Sequence, residues 1–183
     1  MRVGEKFMNA VRYCIAVQLL LLPLSCAAAP MYRDVDGCKI AVPASWVAVK
    51  NPAGFKGCTL FTGNPSAIPV NGIMIVSTPI PKLKEDIQEQ DNEVLDGLMY
   101  VLSKNPAYTV LDRSDTRLGG MDGKSVTVQF GTKGNPRLMR VCASAFIIGH
   151  HAYVILCECA DAIFSKNVPE YAKSLATVQF PPH

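Results

Sequence analysis

Excess charge of one sign is nearly absent from most of this chain. The 183 residues carry +3 overall, and Arg2, Lys6 and Arg12 against Glu5 place +2 of it within residues 1–28. Residues 29–183 therefore hold +1, too little to neutralise a phosphate backbone, so no nucleic-acid partner is expected. Charged residues make up only 18% against 49% hydrophobic ones, which excludes a disordered tail and a coiled coil; 13 Gly and 13 Pro without a period exclude a collagen-like chain. No internal repeat or low-complexity tract occurs. No Gly-x-Ser-x-Gly nucleophile elbow is present. Gly123-Lys124-Ser125 resembles the end of a phosphate-binding loop, but Leu118 stands where that loop needs its first Gly. No catalytic signature remains, and the chain is expected not to be an enzyme.

The start of the chain is a targeting pattern. A charged stretch over 1–13 leads into Cys14–Leu24, an apolar run of about 11 residues, then Ser25-Cys26-Ala27-Ala28-Ala29-Pro30. A basic start, a short apolar stretch and a small-residue exit form a secretory signal peptide. A bilayer span needs about 20 apolar residues, so a permanent transmembrane helix is not expected. Residues 1–28 are read as the signal and 29–183 as one folded domain. Leu24-Ser25-Cys26 also resembles a lipobox, in which Cys26 would be acylated, although Pro23 sits where an aliphatic residue is usual. Soluble export and lipidation both stay open. Either gives a periplasmic, secreted or envelope-anchored protein, with membrane contact only through a lipid on Cys26.

With Cys14 and Cys26 set aside, Cys38, Cys58, Cys142, Cys157 and Cys159 remain. In an oxidising compartment these are disulfide candidates, and an odd number leaves at least one thiol over. Arg137–Ile148 and His151–Cys159 read as strands joined by Gly149-His150, a two-residue hairpin turn. That register sets Cys142 opposite Cys157, with Cys159 one diagonal step away on the same face. Cys142–Cys157 is the first choice of bridge and Cys142–Cys159 the second. Counting from the turn places the first pair at a hydrogen-bonded site, where a bridge is less comfortable. Cys38–Cys58 is the remaining pair if the strands that carry them are neighbours.

The pattern predicts an α+β fold. Met31–Gly37 reads as a polar entry ending in a turn; short strands follow at Cys38–Val42, Val47–Lys50, around Cys58–Phe61 and at Gly72–Thr78. A long helix over 83–103 puts Leu83, Ile87, Val94, Leu95, Leu98, Met99 and Leu102 on one face, with Glu85, Asp86, Glu89, Asp91, Glu93 and Asp96 largely elsewhere. Tyr108–Leu118, Lys124–Phe130, Arg137–Ile148 and His151–Cys159 form an antiparallel meander, since their connections are short. A second helix at Ser165–Leu175 and a short strand at Thr177–Phe180 close the chain.

This element order, with Ile40-Ala-Val-Pro43-Ala-Ser-Trp46 as the opening strand and its Pro-x-x-Trp break, resembles the Mog1/PsbP-like superfamily. Among its members the exported DcrB-like and PsbP-like bacterial envelope proteins are nearest in style. The closing Ser174-Leu-Ala-Thr-Val-Gln-Phe180 is similar to the family's terminal helix and strand. The resemblance implies a non-enzymatic protein-binding module and transfers no binding residue.

Other groups have plain readings beside their chemical ones. Asp34-Val-Asp36-Gly37 lacks the carboxylates that continue a calcium loop and reads as a turn. Cys157-Glu-Cys159 with His150 and His151 could hold zinc or copper(I), but His151 lies roughly 20 Å along the strand from Cys157. No metal or cofactor is expected. His183 ends the sequence and makes a poor catalytic base. Asp112, Arg113, Asp115 and Arg117 read as a solvated edge. Lys124, Lys133, Arg137 and Arg140 form a thin basic cluster, a candidate partner site. Trp46 reads as a core or rim anchor. The leading functional reading is an exported, non-catalytic envelope protein that binds another protein. Alternatives are a periplasmic immunity protein that neutralises a delivered toxin, and a metal- or thiol-handling protein using Cys157 and Cys159.

Overall fold

The computed structural model describes residues 31–52, 56–67, 70–83, 87–132 and 135–182. The signal segment, Cys26, Lys133 and His183 lie outside them. Eleven elements follow in order: β1 (Met31–Val35), β2 (Cys38–Val42), β3 (Val47–Lys50), β4 (Cys58–Thr62), β5 (Gly72–Pro79), α1 (Ile87–Leu102), β6 (Thr109–Leu118), β7 (Met121–Thr132), β8 (Asn135–Ile148), β9 (His151–Ala160) and α2 (Asp161–Leu175).

The fold is α+β. Seven strands form one sheet in the order β3-β4-β5-β9-β8-β7-β6, and every neighbouring pair is antiparallel. Two meanders, β3–β5 and β6–β9, are joined through α1. Alternation of side chains along the central strands gives the sheet two apolar faces. On one, Leu95 and Met99 of α1 meet Val126, Val128, Val141, Ala143, Val154 and Leu156. On the other, Ile73, Ile75, Phe146, Tyr153, Ile155 and Cys157 meet the β1–β2 hairpin and Tyr171 of α2. Trp46 belongs to this second core and is 7% exposed. The Tyr153 hydroxyl donates to the Asp36 carbonyl at 2.7 Å, fastening the hairpin turn to the sheet.

Several expectations are corrected. Met31–Val35 is a strand, because Asp36 and Gly37 both take positive φ and turn the chain back onto β2. The Asp34 carboxylate accepts from the Gly37 N–H within this turn. The strands bearing Cys38 and Cys58 are not neighbours: β2 pairs with β1, and β4 with β3 and β5. The expected five-residue loop at 119–123 shrinks to Gly119-Gly120, and Gly123 lies within β7. α2 begins at Asp161, four positions before the expected start, and continues through Pro169. Thr177–Phe180 makes one bridge to β2, where Lys39 and Gln179 exchange backbone hydrogen bonds of 2.8 and 2.9 Å. No helix among the described residues is long and apolar enough to cross a membrane.

Candidate functional site

Strands β6, β7 and β8 carry the sheet outward, and their side chains change character along each cross-strand row. One row runs Asp112, Thr127, Cys142, Cys157 and Ile73; the next runs Ser114, Ser125, Ser144, Ile155 and Ile75. Residues directly opposite share a face. Each row therefore passes from the apolar core under the hairpin to hydroxyls, a thiol and a carboxylate. α2 packs on β2, β8 and β9, and Thr127, Ser125 and Gln129 beyond it are half-exposed. The hydroxyls bond to their neighbours: Ser144 Oγ donates to Ser125 Oγ at 3.3 Å, and Ser125 Oγ lies 3.8 Å from Cys142 Sγ. The result is a small-polar sheet face suited to hydrogen bonding with another surface.

That face ends at β6, the last strand of the sheet, which is exposed over nearly all of its ten residues. Gly119 and Gly120, both at positive φ, form a two-residue turn that closes on Leu118 and Met121. Counting from that hydrogen-bonded pair, Arg113, Asp115 and Arg117 aim their backbone N–H and C=O groups outward. Their side chains turn to the α1 face and find partners there: Arg113 with Asp96 at 2.8 Å, Asp115 with Lys124 at 2.5 Å and Arg117 with Asp122 at 3.6 Å. The charges read as a solvated edge are thus tied down locally, and the outward backbone row lies beside them.

The described basic residues Lys124 and Arg140 lie on opposite faces of the sheet. Lys124 pairs in register with Ala145 on the α1 face. Arg140 pairs with Cys159 on the opposite face, binds Asp161 at 2.5 Å and lies 5.3 Å from the Phe164 ring centre. It therefore fastens β8 to the start of α2. Arg137 is exposed at the far end of β8.

The described cysteines stand as thiols. Cys142 is the Cα partner of Cys157, and Cys159 follows on the same face. Burial pushes the Cys157 thiol up, with Cys142, Cys159 and Glu158 adding to the shift. Cys38 is pushed up to about 12 by burial and then by Asp34, and Cys58 is raised by burial. Such thiols stay protonated at neutral pH and are poor nucleophiles. Among the described residues no group of three or more His, Cys, Asp or Glu side chains could hold a metal ion.

Sequence reasoning missed Asp91. It falls on the buried side of α1 at 1% exposure. Its signal was the four-residue spacing Ile87, Asp91, Leu95, Met99, which puts it in line with the apolar stripe.

No family model matches the chain, and a search of the curated proteins finds no match. Solved structures do match. Cyanobacterial PsbP (CyanoP) from Synechocystis sp. is 11% identical with a TM-score of 0.61, over 86% of this chain and 95% of that one. A protein from Bacteroides thetaiotaomicron is 14% identical with a TM-score of 0.56, over 86% of this chain and 50% of that one. LpqN, described as involved in cell envelope biogenesis of Mycobacterium tuberculosis, is 14% identical with a TM-score of 0.56, over 84% and 90%. At 11–14% identity these likenesses establish a shared fold.

Proposed function

Because the chain has the PsbP-like fold of the Mog1/PsbP superfamily, we propose that it is an exported, non-catalytic envelope protein that binds another protein through the β6 edge and the polar face behind it. The observation that carries this reading is the exposed ten-residue edge strand with its outward backbone row. An open edge accepts an extended segment of a partner, with main-chain hydrogen bonds for affinity and alternate side chains for specificity. The secretory pattern at 1–28 and the envelope role printed for LpqN support the location.

The test separates backbone from side chain at one position. Arg113→Ala removes the Asp96 ion pair but keeps the outward N–H; Arg113→Pro removes both, and an edge strand tolerates proline. Crosslinking in the envelope of expressing cells, followed by mass spectrometry, should recover the same protein with wild type and Arg113→Ala and lose it with Arg113→Pro. Equal recovery with Arg113→Pro would sink the reading.

Within this proposal Cys142 and Cys157 are bridged after export. Hydrogen-bonded cross-strand partners have Cα atoms about 5.5 Å apart, inside the range a disulfide spans. Peptide mapping of the exported, unreduced protein after alkylation should find the two linked; both carrying the alkyl label would refute the bridge.

A further inference from the structure

A second feature lies on the other face of the sheet, away from the hairpin. Between the start of α1 and the ends of β7 and β8 is a cavity of ≈ 460 Å³, lined by Leu83, Ile87, Met121 and Ile147 with Asp91, Asp122, Gly120 and Gly149. That volume is in the range of small-molecule sites rather than of a single water. Its walls are aliphatic. Its inner polar group is the buried Asp91 carboxylate, which has no side-chain partner and is met only by the Ile147 backbone, an approach too weak to make a well-formed hydrogen bond.

A buried carboxylate without a charged partner is costly, and no described lining residue neutralises this one. The described lining residues include two carboxylates and no Lys, Arg or His. Asp122, at the rim, is exposed and pairs with Arg117. Lys124 is near enough to act on Asp91 through space, but its ammonium is held by Asp115 at 2.5 Å. The complement of these described lining residues is a cation that can donate hydrogen bonds and whose remaining surface suits aliphatic walls. Ile87, 46% exposed at the first turn of α1, offers apolar surface at the mouth.

We propose that this cavity binds a small primary alkylammonium compound, its ammonium on the Asp91 carboxylate and its aliphatic chain against Leu83, Ile87 and Ile147. An ammonium supplies three donors to the two carboxylate oxygens, and a charge-assisted bond in a low-dielectric cavity is stronger than a neutral one. A neutral alcohol of the same length fills the same apolar space without the charge.

The experiment is a titration of the full exported chain with n-hexylammonium and with hexan-1-ol at pH 8, read by protein NMR. Hexylammonium should saturate, with shifts at residues 87–91, 120–122 and 147, and hexan-1-ol should bind at least about tenfold more weakly. Asp91→Asn should weaken hexylammonium about tenfold or more and leave hexan-1-ol unchanged. Ile87→Arg, at a surface position, sets a tethered guanidinium at the mouth and should abolish hexylammonium binding while the fold persists. Absence of saturation, equal binding of the alcohol, or undiminished binding by both variants would overturn the proposal.

Discussion

Asp91→Asn should raise the stability of the protein markedly at pH 8 and leave it unchanged at pH 4. Burial raises the Asp91 carboxyl to about 7, against smaller lowering effects from the Ile147 backbone and Lys124; in an unfolded chain the group titrates near 3.9. Between those values the folded state holds a proton that the unfolded state has released, so stability falls as pH rises from about 4 to about 7 and then levels off. About three units at about 1.4 kcal/mol each give a loss of order 4 kcal/mol above neutrality. Asparagine keeps the shape and cannot ionise, so it removes the loss. Urea denaturation at pH 4, 6 and 8 reads the difference directly. An equal gain at pH 4 and pH 8 would show that packing, not ionisation, separates the two proteins. Glu158, also raised to about 7 by burial, acts in the same direction and leaves the variant a residual slope.

Asp91 also marks the limit of reading helix α1 from its pattern. The apolar stripe was legible because Leu95, Met99 and their neighbours recur at helical spacing. A carboxylate on that stripe looks like one more acid of an acidic surface, since periodicity reports where side chains point and not whether they reach water. The register of β8 on β9 was legible from Gly149-His150 because a two-residue turn fixes every pair beyond it. The turn at Asp36-Gly37 was legible too, but the strand before it was not, because Met31–Val35 is mostly polar and alternates weakly. The described basic residues divide between the faces for a reason particular to sheets. Lys124 and Arg140 lie on adjacent strands, but opposite parity sends them to opposite faces. The edge position of β6 depends on strand order, which short connections constrain only within each meander.

Gly123→Val should be the most damaging single glycine change described, costing at least about 3 kcal/mol and leaving little soluble protein. A Cβ on Gly123 would approach the Ala145 carbonyl oxygen and fall 2.6 Å from the Phe146 ring. Phe146 is fully buried, so neither group has room to retreat. The residue allows β7 to close against β8 where their pairing ends, which is why it sits inside a strand despite its resemblance to a turn. Gly97 supplies the opposite case. It lies in the middle of α1, exposed, with nothing within 4 Å of an added Cβ. Gly97→Ala should stabilise by about 0.5–1 kcal/mol through helix propensity and unfolded-state entropy. Thermal denaturation of the pair separates the two accounts: similar shifts of one sign in both variants would contradict the steric argument.

The bridge between Lys39 and Gln179 also bears on when the molecule can take its final form. Phe180 stacks near Phe146 and Tyr153, with ring centres 5.0 and 5.6 Å apart, and Val178 joins the same core. The opening hairpin is thus sealed by the last segment of the core, about 140 positions later, and such distant contacts form slowly. Until residues 177–180 have been delivered, one face of the central sheet has no lid at its edge. A polypeptide with that dependence stays incompletely closed until this distant segment arrives, so closure waits on one of the longest-range contacts of the fold.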